Sequence, residues 1–142
     1  MAFRFFVPID IRFRDLDALN HVNNAVYFTY MEHARIAYLR HLGLFDGDVS
    51  DTGMIVAEAM CTFKAPIVFD QNIVVRVRAI HLKNSSFVIE YSLEDADSGR
   101  VMATGRTVQV CFDYAANKPR PIPVRWRERI ERFEREEKTN DE

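Results

Sequence analysis

Apolar and charged residues alternate at the beginning of the chain. Over residues 3–13 every second residue is apolar, which is the period of a strand with one buried face. These residues are Phe3, Phe5, Val7, Ile9, Ile11 and Phe13. Pro8 lies within the run and cannot donate a hydrogen bond to a neighbouring strand. The pattern therefore predicts a first strand that lies at the edge of a sheet or carries a bulge.

The period changes to that of a helix near residue 24. From Asn24 to His41 apolar residues recur at steps of three and four, which predicts a helix of about 18–20 residues, roughly 27–30 Å long. The recurring residues are Tyr27, Tyr30, Met31, Ala34, Ala37, Tyr38 and Leu42. Further apolar residues on its other sides indicate that other structure encloses this helix. Asn23 or Asn24 is expected to cap its beginning, and Gly43 to end it.

Four later runs have the period of strands, over residues 54–64, 72–82, 86–94 and 101–113. The connections between them are short and turn-like, which predicts antiparallel pairing. The predicted buried faces are Ile55, Ala57, Ala59, Cys61 and Phe63, then Ile73, Val75, Val77 and Ala79, then Phe87, Ile89, Tyr91 and Leu93, and last Met102, Val108, Val110 and Phe112, with Arg106 interrupting the last face.

A polar, proline-rich stretch over residues 117–123 leads to a final helical pattern over 124–137. We expect one domain over 1–137 and a frayed tail over 138–142. One strand, a long helix and four meandering strands are an α+β order. Because a single helix cannot cover both faces of a five-stranded sheet, the sheet is expected to curl around it.

Composition narrows the class of protein. The 142 residues are 48% hydrophobic and 28% charged, as in a soluble globular domain. Apolar runs are far shorter than the roughly 18 residues of a membrane span, and the N-terminus has no usual cleavable signal. Cys61 and Cys111 form neither a disulfide framework nor a metal-binding spacing. We expect a cytoplasmic protein without a metal, and the net charge of −2 argues against nucleic-acid binding.

Side chains that can take part in catalysis are concentrated between the first strand and the long helix. This junction holds Asp15, Asp17, His21, Asn23 and Asn24. The beginning of a helix carries unpaired N–H groups and a partial positive charge, and both stabilise an oxyanion. A carboxylate beside them can act as nucleophile or general base. The junction therefore predicts an active site.

These residues also have structural interpretations. Asp17 can be a turn residue or a helix cap. Asp15 fits better as a surface or strand-end carboxylate that pairs with Arg12 or Arg14. His21 can orient a carboxylate or a water, contact substrate, or simply pack in a loop. One or both asparagines at the helix start are expected to be caps.

Residues 12–27 read R-F-R-D-L-D-A-L-N-H-V-N-N-A-V-Y. They resemble the R-[FY]-x-D-x-D-x-x-G-H-V-N-N-x-x-Y signature of the hotdog-fold acyl-CoA thioesterases, the group that includes 4-hydroxybenzoyl-CoA thioesterase. Asn20 stands where the signature has glycine, and asparagine tolerates positive φ better than most residues. The resemblance extends from Phe5 to about Pro123. It implies the hotdog fold, in which a curled five-stranded antiparallel sheet wraps around one long helix.

The resemblance also implies an activity and a site. It implies hydrolysis of an acyl-CoA without a cofactor, with Asp17 as the catalytic carboxylate and the backbone N–H near Asn24 polarising the thioester carbonyl. His21 and Asn23 would lie beside them, and Tyr27, if not simply core, would line the acyl tunnel. Ser85 and Ser86, which turn chemistry alone explains, would contact the pantetheine arm. The assembly implied is a homodimer or homotetramer.

The segment over residues 114–127 is locally basic. Residues 114–127 contain four cations and no acid, so Lys118 and Arg120 are candidates for binding the phosphates of coenzyme A. A solvated basic loop explains them equally well.

The sequence also leaves two rival functions open. The first rival is a hotdog dehydratase that uses His21. The second is a non-catalytic module that binds acyl-CoA or an acyl carrier.

Overall fold

The computed structural model of the chain describes residues 3–45 and 53–140. Its elements are β1 (Phe5–Ile9), a 3-10 turn (Phe13–Asp15), α1 (Asn24–His41), β2 (Met54–Phe63), β3 (Ile73–Ile80), β4 (Ser86–Asp95), β5 (Val101–Asp113), β6 (Lys118–Pro119) and α2 (Val124–Asn140). The five longer strands pair antiparallel in the order β1-β3-β4-β5-β2, and the two-residue β6 pairs with the end of β5. The sheet curls around α1, which confirms the predicted hotdog fold. Neither described helix is both long and apolar enough to cross a membrane.

Among the described residues β1 pairs with β3 alone, so it is an edge strand, which is one of the two possibilities that Pro8 predicted. It is shorter than expected and ends at Ile9 rather than at residue 13. The chain turns at Asp15, whose N–H donates to the carbonyl of Arg12 at 2.9 Å. The apolar alternation continues past Ile9, but Phe13 is 79% exposed. Beyond Ile9 the apolar alternation therefore leads into a tight turn and does not mark a longer strand.

The long helix begins and ends at the residues predicted. The Asn23 side chain accepts the N–H of Ala25 at 2.9 Å, and Gly43 adopts a φ of 73° just beyond the helix. The predicted buried stripe is largely correct. One exception is Ala37, which is half-buried, while the neighbouring Arg35 is buried at 8% exposure.

The inner faces of β3 and β4 contain the predicted apolar residues, all buried. The prediction for β5 was wrong. Its helix-facing row is Ala103, Gly105, Thr107, Gln109 and Cys111, set by the pairing of Leu93 with Ala103 and of Ile89 with Thr107. This row is small and partly polar, so hydrophobicity alone selected the wrong face. Arg106 lies on the outer face and is exposed.

The second edge strand, β2, is unusually apolar for its exposure. A register shift between Val56 and Glu58 interrupts the alternation predicted for this strand. Its large exposed apolar residues are Ile55 at 38%, Val56 at 41%, Met60 at 57% and Phe63 at 42%. An apolar edge with unpaired backbone groups is a surface that another chain can cover.

The C-terminal helix closes the end of the fold opposite to residues 12–27. Trp126 and Ile130 are buried, and the arginines 125 and 129 donate to the carbonyls of Gly43 and Leu42, each at 3.0 Å. These contacts place cations at the C-terminal end of α1, where the helix dipole favours them. The helix was expected over 124–137 and extends to Asn140. The division between domain and tail at residue 138 stays a prediction.

Candidate active site

A short hairpin immediately precedes α1. An isolated bridge pairs Leu16 with Val22, and the N–H of Asp17 donates to the carbonyl of His21 at 2.8 Å. The N–H of Asn20 returns to the carbonyl of Asp17 at 3.0 Å. Asn20 adopts a φ of 63°, a left-handed conformation that few residues except glycine and asparagine accept readily. Asparagine therefore supports this turn without the glycine of the family signature.

The carboxylate of Asp17 is exposed and fixed by this hairpin. Its Oδ1 accepts the N–H of Leu19 at 2.8 Å and that of His21 at 3.3 Å. Within residues 3–45 and 53–140, Oδ2 accepts no hydrogen bond. One oxygen is therefore held in place, and the other is available to a substrate or a water. The contact from His21 comes from its backbone, and its ring bonds to no residue that the structure describes.

The beginning of α1 supplies the complementary donor. The N–H groups of Ala25 and Val26 both donate to Asn23, the first to its side chain and the second to its carbonyl, each at 2.9 Å. The N–H of Asn24 has no acceptor among the described residues. A free N–H at a helix start is the kind of donor that can stabilise an oxyanion. Of the two asparagines predicted as caps, Asn23 is the one that caps the helix.

Asp15 is not the surface carboxylate that the sequence predicted. It is only 2% exposed, and its Oδ2 accepts the O–H of Tyr30 at 2.7 Å and the N–H of Arg12 at 3.0 Å. Its carbonyl accepts the N–H of Asn23 at 2.9 Å, so Asp15 links the hairpin to the helix cap. The expected pairing with Arg12 is confirmed, at 3.4 Å. A buried tyrosine on α1 needs a partner for its hydroxyl, and that was the available signal.

The environment of Asp15 stabilises its charged form. Burial by itself raises the pKa of this carboxyl group. The hydrogen bonds from the Arg12 backbone and from Tyr30, together with the charge of Arg12, outweigh burial and hold the pKa below its ordinary value of 3.8. Asp15 thus remains an anion whose fixed position orients the residues before α1.

We expect Asp15→Asn and Tyr30→Phe each to lower the free energy of unfolding by about 1.5–3 kcal/mol at pH 7, because each weakens a buried, charge-assisted hydrogen bond. The pKa of Asp15 is lower in the folded state, so its contribution is present above its unfolded pKa and is lost as the pH falls through the folded value. Urea unfolding from pH 7 to pH 3 should show the gap between wild type and Asp15→Asn narrowing below about pH 4. A gap that stays constant with pH would contradict this.

Tyr27 lies in the core, close enough to Asp17 to feel its charge. It is 2% exposed, and its ring stands perpendicular to that of Phe63 at a centroid distance of 4.8 Å. Burial raises the pKa of Tyr27, and the negative charge of Asp17 adds to that rise. Burial also raises the pKa of the neighbouring Cys61 to about 11, so this thiol is not an activated nucleophile. Asp17, with its unengaged oxygen, is therefore the candidate reactive group at this site.

The other predicted substrate-binding residues lie at the opposite end of the sheet. Ser86 pairs with Val110, and Lys118 pairs with Asp113 near the end of β5, whereas Phe63, beside Tyr27, pairs with Ala103 near its start. Ten residues of strand separate 103 from 113, about 33 Å. One chain therefore brings Asp17, His21, Asn23, Asn24 and Tyr27 together, and it holds Ser85, Ser86, Lys118 and Arg120 as a separate group.

Comparisons with known proteins identify the family of the chain. The sequence model of the thioesterase-like superfamily matches residues 11–130. A thioesterase from Thermus thermophilus, solved with coenzyme A and zinc, is 36% identical over 93% of this chain and 95% of that chain, with a TM-score of 0.81. The BH1999 gentisyl-coenzyme A thioesterase is 28% identical over 89% of this chain and 99% of that chain, with a TM-score of 0.79.

A curated relative gives the same class of activity. The long-chain acyl-CoA thioesterase FadM of Escherichia coli K12 is 24% identical over 126 residues, which cover 88% of this chain and 96% of FadM. The match to the superfamily extends over most of the chain, including the hairpin, the helix and all of β2 to β5. The chain therefore belongs to the thioesterase-like superfamily and is a thioester hydrolase of the hotdog fold.

Proposed function

We propose that the protein hydrolyses an acyl-CoA to a free acid and coenzyme A, with Asp17 as its catalytic carboxylate. The observation that carries the proposal is the combination of a fixed Asp17 with one unengaged oxygen and an α1 whose first N–H, on Asn24, has no acceptor among the described residues. The names of the relatives support a coenzyme A thioester as the substrate.

The reaction follows from this placement. The thioester oxygen accepts the N–H of Asn24, which stabilises the negative charge that develops on it. Asp17 then attacks the carbonyl carbon, the C–S bond breaks, and the thiolate of coenzyme A leaves and takes a proton from water. Hydrolysis of the resulting mixed anhydride releases the acid and regenerates Asp17. In the alternative route, Asp17 accepts a proton from a water that attacks directly.

The experiment that tests the proposal is release of free thiol from a panel of aryl, medium-chain and long-chain acyl-CoAs, monitored with a thiol reagent. We expect turnover on at least one class. Tight binding without any thiol release would instead identify a binding module. Hydration or dehydration of the acyl group without cleavage would identify a dehydratase. Rapid-quench mass spectrometry separates the two hydrolytic routes, since only nucleophilic attack leaves an acyl group on Asp17.

We also propose that two copies join along β2. Within the described residues this strand has a free edge, and it carries four large exposed apolar residues, which antiparallel pairing with a second β2 would cover. Two-fold pairing centred between residues 58 and 59 would set Phe63 beside the partner subunit's Met54. Along the partner's sheet, β5 and then β4 follow at spacings of about 4.8 Å. The partner subunit's Ser86 would then lie about 15 Å from Phe63.

This pairing resolves the separation seen in one chain. It brings the group of Ser85, Ser86, Lys118 and Arg120 from one subunit to the end of the sheet that carries Asp17 in the other. A coenzyme A thioester could then be shared, with its acyl carbonyl at one subunit's helix and its nucleotide at the other's basic segment.

Neutralising the basic segment tests that division. Lys118→Gln with Arg120→Gln should raise KM for acyl-CoA by about tenfold at low salt and weaken its dependence on ionic strength, because phosphate contacts are screened by salt. Hydrolysis of a pantetheine thioester that lacks the nucleotide should change little. Arg132→Gln, which removes an exposed cation from α2, is the matched control. Equal loss with both substrates would show that the segment is structural.

A further inference from the structure

A chain of polar side chains runs through the core between α1 and the sheet. Nη1 of Arg35 donates to the hydroxyl of Tyr91 at 3.1 Å, and that hydroxyl shares a hydrogen bond with Oγ1 of Thr107 at 2.7 Å. Thr107 donates to Gln109, and the amide of Gln109 donates to the carbonyl of Phe87 at 3.1 Å. All of these side chains belong to buried residues. The mechanism proposed above uses none of them.

Arg35, the cation at one end of this series of side chains, is poorly neutralised. The side chain of Arg35 is only 10% exposed, and among the described residues its one acidic partner is Glu32, at 3.9 Å. Glu32 is itself 62% exposed, so this pair is weak. The other partner of Arg35 in the described part of the chain is the neutral Tyr91 hydroxyl. A buried charge is costly unless an opposite charge compensates it, so this guanidinium is suited to an anionic ligand.

Arg35 lies on a helical stripe that begins at the proposed oxyanion donor. Asn24, Phe28, Glu32 and Arg35 follow at steps of four, four and three, which places them on one side of α1. That side is next to β2. Arg35 bonds to Tyr91, and Tyr91 bonds to Thr107 of β5. Thr107 in turn pairs with Ala59 of β2. Phe28 is 37% exposed, so the stripe offers an apolar, accessible surface between its polar ends.

The length of this stripe sets the size of the ligand. The rows of β5 that hold Ala103 and Thr107 are four residues apart, about 13 Å. The row of Ala103 is at the end of the sheet near Asp17, because Ala103 pairs with Phe63, whose ring packs on Tyr27. The row of Thr107 is at the level of Arg35, because Tyr91 bonds to both residues. Since a side chain on a helix tilts toward its N-terminus, the guanidinium lies closer to Asn24 than its Cα does. An extended acyl chain of about ten carbons covers this distance.

We propose that Arg35 is a specificity-determining residue that binds a carboxylate at the far end of the acyl group. The substrate class is then a medium-chain acyl-CoA with a terminal carboxylate, which deepens and rests on the proposed thioesterase function. The planar guanidinium suits a carboxylate, which can accept two of its N–H groups. On binding, the substrate carboxylate replaces Glu32 at Arg35, and the exposed Glu32 turns to solvent.

The test compares two series of substrates on the intact enzyme: unsubstituted acyl-CoAs and their ω-carboxyl counterparts, from six to sixteen carbons. We expect kcat/KM to favour the ω-carboxyl series, by about 10–100-fold at a length near ten carbons and by less at either end of the series. This measurement needs no variant. Equal values for the two series at every length would overturn the assignment of Arg35. Absence of thiol release from both series would instead overturn the proposed thioesterase function.

Two variants locate the preference. Arg35→Gln should remove it, lowering kcat/KM for the ω-carboxyl substrate by about 10–100-fold while the unsubstituted substrate changes less than about threefold. Glu32→Gln, one helical turn away, removes the competing carboxylate and should strengthen the preference by lowering KM. Equal loss on both series in a folded Arg35→Gln protein, or a preference unchanged by either variant, would overturn the assignment.

Discussion

Asp17→Asn is expected to lower kcat for thioester hydrolysis by at least about 1,000-fold while changing the affinity for acyl-CoA less than about threefold. Asparagine is nearly isosteric, and its oxygen can still accept the N–H groups of Leu19 and His21 that shape the hairpin. It lacks the negative charge that attack on the carbonyl, or proton transfer from water, requires. Steady-state rates and a binding titration of the same protein separate the two quantities.

The control for this variant is a carboxylate outside the hairpin. Asp10 is exposed and follows β1, so Asp10→Asn removes one negative charge from the same side of the fold without touching the hairpin. We expect its kcat to equal that of wild type. A near-normal kcat in Asp17→Asn would eliminate both routes of the mechanism, whereas an equal loss in both variants would point to a general effect of charge.

Local chemistry explains which parts of the fold and the site could be predicted from the sequence. The long helix was placed correctly at both ends because Asn23 and Gly43 carry their own signals. The turn at Asn20 was anticipated for the same reason, since asparagine tolerates the observed positive φ. The alternation in β3 and β4 was reliable because both strands are buried beneath a single helix.

The errors share a different cause, since they depend on partners distant in the sequence. Asp15 is buried because Tyr30 of α1 reaches it, and nothing near Asp15 encodes that contact. The helix-facing row of β5 is partly polar because Arg35 enters the core, so Thr107 and Gln109 replace the expected valines. The distance between Asp17 and Ser86 depends on the order of the strands, which periodicity does not determine.

The second large effect concerns the assembly. At low micromolar concentration, sedimentation should show no monomer of 16.6 kDa, because the exposed apolar β2 is expected to be covered by a second copy. A charge placed on that edge, as in Met60→Glu, should weaken the assembly and reduce activity together. A fully active monomer would rule out a shared site.

Mixing two inactive variants measures the sharing directly. The first variant is Asp17→Asn, and the second is Ser86→Tyr, which obstructs the proposed coenzyme A wall. If each site combines Asp17 of one chain with the partner subunit's Ser86, a mixed dimer has one site with both changes and one site with neither. Random exchange of equal amounts makes about half of the dimers mixed, so activity should return to about a quarter of wild type. If both residues served the same site within one chain, every site would carry one change and no activity would return.

The strand register already places Ser86 about 23 Å along the sheet from the row that holds Ala103 and Phe63, which favours the shared arrangement. Restored activity that rises with the time allowed for subunit exchange would establish it, and a stable dimer without any restoration would remove Ser86 from the opposite wall.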